Sequence, residues 1–429
     1  MKALTQQLLQ DSSNNKIFQW IKLLSVTGGV QIIVQGTSLL GGILVIRLLS
    51  TEEYAFYTLA NTMLGTMTVL ADSGISIGVM SQGGKVWQSK KELGVVLATG
   101  LNLRSRFALA SLVVSIPILI FLLQNQGADL KTTFLIVFSL IPAFFAALSD
   151  SILSIVPKLH QDIIRLQKNQ LGVSILRLAI IVISLLAFPL TFVALLANGI
   201  PRIYGNFSLK KIAFLNADKN QKPSPYIRKD ILRIIKRKLP ESIYYCFSGQ
   251  ITIWLVSLFG TTAALASLGA LGRLGMTLTV ISVLINTLFS PRFARLPEIK
   301  EVLYKHAILV IIGLTTLSLL IIYVTHIFSS QILWIIGTEY SNLHVELVLS
   351  IIAACLNLFI GCLFALNTSR GWIINPYMYI LVNVISIVLS LSLFDISTLT
   401  NVLNFNIFIS SVQSLILIYY LFYKINKAN

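Results

Sequence analysis

From Leu23 to Phe422 the chain alternates between long apolar runs and short polar breaks. Runs of about 17 to 25 predominantly apolar residues, bounded by charge or turn residues, have the length a helix needs to cross hydrocarbon. Twelve can be drawn: Leu23–Ile46, Tyr54–Ser76, Phe107–Leu123, Thr132–Val156, Leu171–Ala187, Phe188–Ile203, Ser242–Phe259, Ala264–Phe289, Ala307–Phe328, Leu347–Leu366, Tyr377–Leu393 and Asn404–Phe422. Only Pro189 and its neighbours separate the fifth and sixth, so a re-entrant pair is the alternative reading there. With 11% charged and 55% hydrophobic residues, the chain has too little polar surface for a soluble protein. The polar N-terminus and the length of the first run leave no cleavable signal to be read.

Charge supports the count independently. With the N-terminus cytoplasmic, 29 of the 33 Lys and Arg residues fall on the cytoplasmic side. Arg47 and Lys131 fall outside, and Arg177 and Arg273 lie within runs. That asymmetry is what the positive-inside rule requires, and it makes both termini cytoplasmic. Eleven of the basic residues sit between Arg202 and Lys238, in the middle of the chain. The division expected is therefore an N-terminal bundle over 1–203, a basic cytoplasmic linker over 204–239 and a C-terminal bundle over 240–429. In the linker Ile227, Ile231, Ile234 and Ile235 share one helical face, which reads as an amphipathic helix on the anionic inner leaflet leading through Pro240 into the seventh run. The net charge of +17 follows from this topology and from anionic lipid, so nucleic acid is not an expected partner.

Little points to catalysis. Cys246, Cys355 and Cys362 fall inside apolar runs without paired spacing and read as small core residues. His160, His306, His326 and His344 are scattered, with neither metal spacing nor a nucleophile nearby. The longest external loop, about Ser329 to Glu346, adds only Glu339, His344 and Glu346, so the chain is not expected to be an enzyme. No cofactor is expected, and coupling to a proton or sodium gradient stays open.

Sliding the chain along itself by 214 residues exposes a repeat. Val69-Leu-Ala-Asp-Ser73 lies over Val283-Leu-Ile-Asn-Thr287, and Ile17–Lys22 lies over Ile231–Lys236. Six runs per half is an even number, so the halves run in the same direction through the membrane. Polar stripes at helical spacing follow: Thr27, Gln31, Gln35, Ser38 and Gly42 on the first run; Thr58, Asn61, Gly65, Thr68 and Asp72 on the second; Gly272, Gly275, Thr279, Ser282 and Asn286 on the eighth. Gln170, Ser174, Arg177 and Ser184 mark the fifth, and Asn383, Ser386 and Ser390 the eleventh. Such stripes face either a hydrated path or a neighbouring helix.

Charges inside the runs are the sharpest local signals. An arginine near a helix centre costs about 2.5 to 3.5 kcal/mol on insertion scales, so Arg273 requires a partner or a hydrated site. It is either an anion ligand, its guanidinium matching phosphate or carboxylate oxygens, or half of a buried ion pair with Asp72 or Asp150. Arg177 is near enough to the cytoplasmic end of its run to snorkel. Asp72 and Asp150 are candidates for coupling or for capping, and Arg47 for an interface anchor or an outer gate.

Arg47-Leu-Leu-Ser-Thr-Glu-Glu-Tyr-Ala-Phe-Tyr-Thr-Leu-Ala60 followed by Ala71-Asp-Ser-Gly-Ile75 resembles the start of bacterial polysaccharide transporters. These are the O-antigen and capsule flippases of the multidrug/oligosaccharidyl-lipid/polysaccharide (MOP) superfamily. Phe289-Ser-Pro-Arg-Phe-Ala-Arg-Leu296 is similar to their Pro-containing exit from span eight. Two departures stand out: Ala55 where the family usually has Gly, and the run Gly269-Ala-Leu-Gly-Arg-Leu-Gly275 where an aromatic-rich turn is common.

The resemblance implies an all-α polytopic membrane protein of the MATE-like fold, with 12 transmembrane helices in two six-helix bundles related by a parallel repeat. It implies a flippase of the bacterial cytoplasmic membrane that moves undecaprenyl-pyrophosphate-linked oligosaccharide units outward by alternating access, supplying a polysaccharide polymerase. Spans one, two, seven and eight would line its path. Arg273, Arg177, Gln31, Gln35 and Asn61 become candidate cargo ligands, and Asp72, Asp150 and Arg47 candidate coupling or gating residues. A multidrug or cation antiporter of the same superfamily and a membrane glycan-modifying enzyme are the alternatives.

Overall fold

A backbone in hydrocarbon has no water to bond, so an apolar run must satisfy its own amides and carbonyls, and a helix does so within one segment. The computed structural model describes residues 29–30, 32–279, 281–282, 293, 296–370, 372 and 374–427, and among these the regular structure is helical. In chain order come α1 (Ile32–Leu48), α2 (Thr51–Asp72), α3 (Ile75–Val86), α4 (Lys90–Asn125), α5 (Leu130–Leu153), α6 (Ile155–Leu159), α7 (Ile163–Ala187) and α8 (Thr191–Phe214). They are followed by α9 (Pro225–Phe259), α10 (Thr262–Gly275), α11 (Lys300–Ile327), α12 (Ser329–Ile336), α13 (His344–Ser369), α14 (Pro376–Leu393) and α15 (Leu399–Asn426).

Each of the twelve apolar runs falls on these helices, as far as it is described. Among the described residues seven segments are long and apolar enough to cross a membrane, and α2 with α3, bent by 44° at their break, makes an eighth. At 1.5 Å per residue α7 and α8 are each about 36 Å long or slightly more, against a hydrocarbon core of about 30 Å. α7 is among the seven segments, whereas α8 matches its length but is not apolar enough to be counted with it. The repeat reaches the helix boundaries too: shifted back by 214, the starts of α10, α11, α13, α14 and α15 fall within six residues of those of α2, α4, α5, α7 and α8. Ile17–Lys22 and Val283–Thr287, which carry half of each sequence match, lie outside the described residues.

The chain forms two compact units. The first comprises the described residues of Met1–Leu44, Met63–Leu119 and Lys131–Cys246; the second comprises Val45–Thr62, Ile120–Leu130 and the described residues of Phe247–Asn429. In the first unit a core of Ile75, Val79, Leu97, Ile152, Leu209 and Ile231 joins α3, α4, α5, α8 and α9. In the second, Leu303, Leu363, Leu366, Leu417 and Leu421 join α11, α13 and α15. Arg370, just past α13, donates to the carbonyls of Phe293 (3.0 Å) and Leu296 (3.1 Å) and lies over the rings of Phe293 and Trp372. Cys246, Cys355 and Cys362 are buried.

The amphipathic segment differs from expectation. Its helix is the first part of α9, which continues unbroken through Pro240 to Phe259. Its apolar face does not lie free for lipid: Ile231 and Ile235 are buried in the first unit's core with Ile227 packed against them. Gly78 on α3 makes this approach possible, since a Cβ there would stand 2.9 Å from Ile231.

Candidate functional site

In the first unit the chemistry gathers where α2 breaks. Ser73 and Gly74 both take left-handed backbone, with φ of 41° and 92°, and the residue without a Cβ meets that requirement at little cost. Asp72, the last residue of α2, accepts the Ser76 N–H (3.2 Å) and hydroxyl (2.7 Å), satisfying an amide in the first turn of α3. Arg104 of α4 reaches across, giving one guanidinium nitrogen to Asp72 and the other to the Ser151 hydroxyl on α5. Arg104 is 4% exposed. From the sequence it reads as a loop cation ahead of the third apolar run; α4, which begins at Lys90, carries it into the protein.

Ser151 also borders a cavity of about 400 Å³ formed among α5, α7 and α8. Its charged walls are Asp150, Arg177 and Arg202, and Gln170 and Ser174 add uncharged hydrogen-bonding groups. Asp150 accepts from the Asn206 amide at 2.9 Å. Arg202 stands midway along α8, although the sequence places it at a cytoplasmic end. α7 and α8 pack closely beside this cavity: a Cβ on Gly205 would stand 2.2 Å from Val173.

In the second unit Arg273 occupies the last turn of α10. Its guanidinium lies 5.7 Å from the centre of the Tyr57 ring and donates to the Tyr57 hydroxyl at 3.3 Å. Tyr57 in turn stacks on Tyr54, with ring centres 5.9 Å apart. Aromatic faces carry negative charge density, so this pair gives the arginine a partner. The two ion-pair partners considered for Arg273 are engaged within the first unit, Asp72 by Arg104 and Asp150 by Asn206. The glycine-rich run is a packing device: a Cβ on Gly269 would stand 2.3 Å from the Thr58 hydroxyl, and one on Gly275 would stand 3.0 Å from Ala354. Gly272, Thr279 and Ser282 open instead onto an uncharged cavity of about 350 Å³ that also meets Asn357 and Asn406.

Arg47, at the end of α1, clamps α12. It donates to the carbonyls of Ile335 (2.9 Å) and Trp334 in the last turn of that helix, where the macrodipole is negative, and lies over the Trp334 ring. Beside it Thr51 donates to Glu339. Burial pushes the phenol of neighbouring Tyr340 well above its ordinary value, and Tyr54 and Glu339 add to the shift.

The remaining candidates are dispersed. Gln35 is exposed on α1, Asn61 is half-buried on α2, and Gln31 and Asn286 lie outside the described residues. Asn383, Ser386 and Ser390 are buried where α14 packs with α15, the helix-packing reading of that stripe. Asp150 and Arg177 are thus brought to one cavity, with Arg202 added. Asp72 is held by Arg104, and Arg273 by tyrosines that no spacing rule singled out.

No protein-family profile and no curated protein matches the chain. Solved structures do. An inward-facing multidrug resistance MATE family transporter of the MOP superfamily is 16% identical, with a TM-score of 0.73 over 92% of this chain and 95% of that one. An outward-facing structure of the same description is 15% identical, with a TM-score of 0.58 over 95% and 96%. A mutant MATE transporter of Vibrio cholerae is 16% identical, with a TM-score of 0.58 over 98% and 99%. The chain has the all-helical, membrane-spanning fold of the MATE transporters.

Proposed function

We propose that this chain is a transporter of the bacterial cytoplasmic membrane, not an enzyme, and that it moves an undecaprenyl-pyrophosphate-linked oligosaccharide from the inner to the outer leaflet. The charge distribution supports a cytoplasmic position for both termini. Alternating access is supported by the fold, since MATE transporters sharing it have inward-facing and outward-facing structures.

The observation that carries the cargo class is the balance of charge inside the spans. Within the twelve apolar runs stand two acids, Asp72 and Asp150, against Arg177 and Arg273, with Arg202 at the cytoplasmic end of the sixth run as a third arginine. Arg104, three residues ahead of the third run, is buried and engages Asp72. One acid is therefore already committed to a cation, and the other shares its cavity with two arginines. At 4 Å and an effective dielectric of 20 each of Arg177 and Arg202 repels a cationic drug, and attracts an anion, by about 4 kcal/mol, and Asp150 offsets one of the two charges. A pyrophosphate suits guanidinium groups because its oxygens accept paired, charge-assisted hydrogen bonds. The uncharged amides and hydroxyls around Asn357 and Asn406 offer hydrogen bonds of the kind sugars use.

A second reading, a multidrug or cation antiporter, is favoured by the description of the structural neighbours and by Asp150, a carboxylate in a cavity. Complementation separates the two. In a bacterium lacking its own flippase, the chain restores surface glycan, and Arg273→Ala or Arg177→Ala reduces it at matched membrane levels. Full restoration by both variants would remove the anion-ligand assignment. Drug resistance conferred on an efflux-deficient host and lost with Asp150→Asn, without glycan rescue, would establish the second reading.

A further inference from the structure

A second groove runs between α7 and α8, sharing Asn169 and Val173 with the Arg177 cavity. It measures about 320 Å³ and is lined by Arg165, Lys168, Gly172, Tyr204 and Ser208. Among the described residues Arg165 is engaged by an i,i+3 pair with Asp162 at 3.0 Å, which uses one of its donors and holds it weakly. Below the cations the surface is apolar and unburied. On α8, Ile200, Tyr204 and Phe207 are 49%, 64% and 63% exposed and share one helical face that ends in Lys211; on α7, Ile175 is 54% exposed. α7 and α8 run antiparallel, so Arg165 and Lys168 are level with Ser208 and Lys211, while Ile175 and Ile200 lie deeper along the pair. Cations at one end of a groove and an exposed apolar track leading away from them is the polarity profile of a phospholipid. The amphipathic part of α9, the other candidate for lipid contact, has its apolar face buried in protein.

We propose that this groove is a headgroup site for an anionic phospholipid of the surrounding bilayer. Its phosphodiester is held by Arg165 and Lys168, and an acyl chain lies along the Ile200, Tyr204 and Phe207 face. The site is independent of the cargo and stands whether the protein carries a glycolipid or a drug.

The test is a titration of the purified full chain in mild detergent with phosphatidylglycerol and with phosphatidylcholine, bound lipid being counted by native mass spectrometry. The protein should prefer phosphatidylglycerol. Arg165→Ala with Lys168→Ala should weaken that lipid about 30-fold, taking about 1 kcal/mol for each basic residue near the surface and tenfold per 1.4 kcal/mol. Gly172→Leu, which leaves every charge in place and fills open space in the groove, should also abolish the preference. Arg233→Ala with Lys236→Ala removes the same charge from exposed positions on α9 and should change binding less than threefold. Equal losses from the two double variants would make the attraction diffuse and overturn the site, as would unchanged binding in the first double variant and in Gly172→Leu. Glycerol 3-phosphate binding as tightly as the lipid would also overturn it, since the site would then be one for free phosphate esters.

Discussion

Replacing Arg104 by Ala should destabilise the first unit by about 3 kcal/mol, because a buried ion pair loses one member and the other stays behind. The range for such losses is about 3 to 5 kcal/mol, and the lower end applies because the Asp72 side chain is 31% exposed and water can reach it. The serines add little. Ser151 still donates to the Leu148 carbonyl at 2.9 Å, and Ser76 still donates to Asp72, so neither is orphaned. Asp72→Asn added to Arg104→Ala should recover about 1 to 2 kcal/mol, since it removes the stranded charge while leaving an oxygen for Ser76. Unfolding in mixed micelles titrated with dodecyl sulfate, followed by tryptophan fluorescence, gives the three free energies. A loss below about 0.5 kcal/mol for the single variant, typical of an unremarkable surface site, would refute the ion-pair account. So would a double variant no more stable than Arg104→Ala.

Gly205→Ala should cost about 1 to 3 kcal/mol by forcing a methyl into Val173, and Val173→Ala in the same chain should return most of it; the same micelle titration reads both. Arg47→Ala removes the clamp on the last turn of α12, so proteolysis between Gly337 and Leu343 should accelerate several-fold while the remaining fragments stay the same. The Asp218 carboxyl lies below the ordinary aspartate value because it accepts the Asn220 N–H and the Gln221 amide. Its contribution to that loop is therefore complete above the ordinary value and is lost as pH falls through the lowered one. Hydrogen exchange at the Asn220 amide should show protection at neutral pH that disappears in that acid range, and protection constant throughout would contradict this.

The helical class and the placement of the apolar segments on helices were legible because hydrocarbon leaves an apolar backbone few alternatives. Helix ends were not. α4 begins at Lys90 and not near Phe107, because a helix continues as long as its hydrogen bonds are satisfied, whatever its hydropathy. That error hid Arg104, whose burial depends on where α2 and α5 sit and not on its own neighbours in sequence. Arg202 was missed for the same reason. The pattern Ile227, Ile231, Ile234 and Ile235 correctly marks an amphipathic face, yet the same spacing serves lipid or protein, and the absence of a Cβ at Gly78 on another helix decides the outcome. Arg273 was legible as a side chain needing a partner. That the partner would be the Tyr54 and Tyr57 pair was not, since two tyrosines three apart on a buried helix read as ordinary core.

The cargo assignment is tested most directly by transbilayer movement in vesicles. The purified chain is reconstituted with an undecaprenyl-pyrophosphate-linked oligosaccharide bearing a fluorophore that an impermeant reductant can bleach. The account predicts that the reductant reaches nearly all of the label when the wild-type protein is present and about half in protein-free vesicles. It also predicts that Arg273→Ala slows the exchange at least tenfold, about 1.4 kcal/mol, without loss of folded protein. Exchange no faster than in protein-free vesicles, with uptake of a cationic dye driven by an ion gradient in the same preparation, would contradict it.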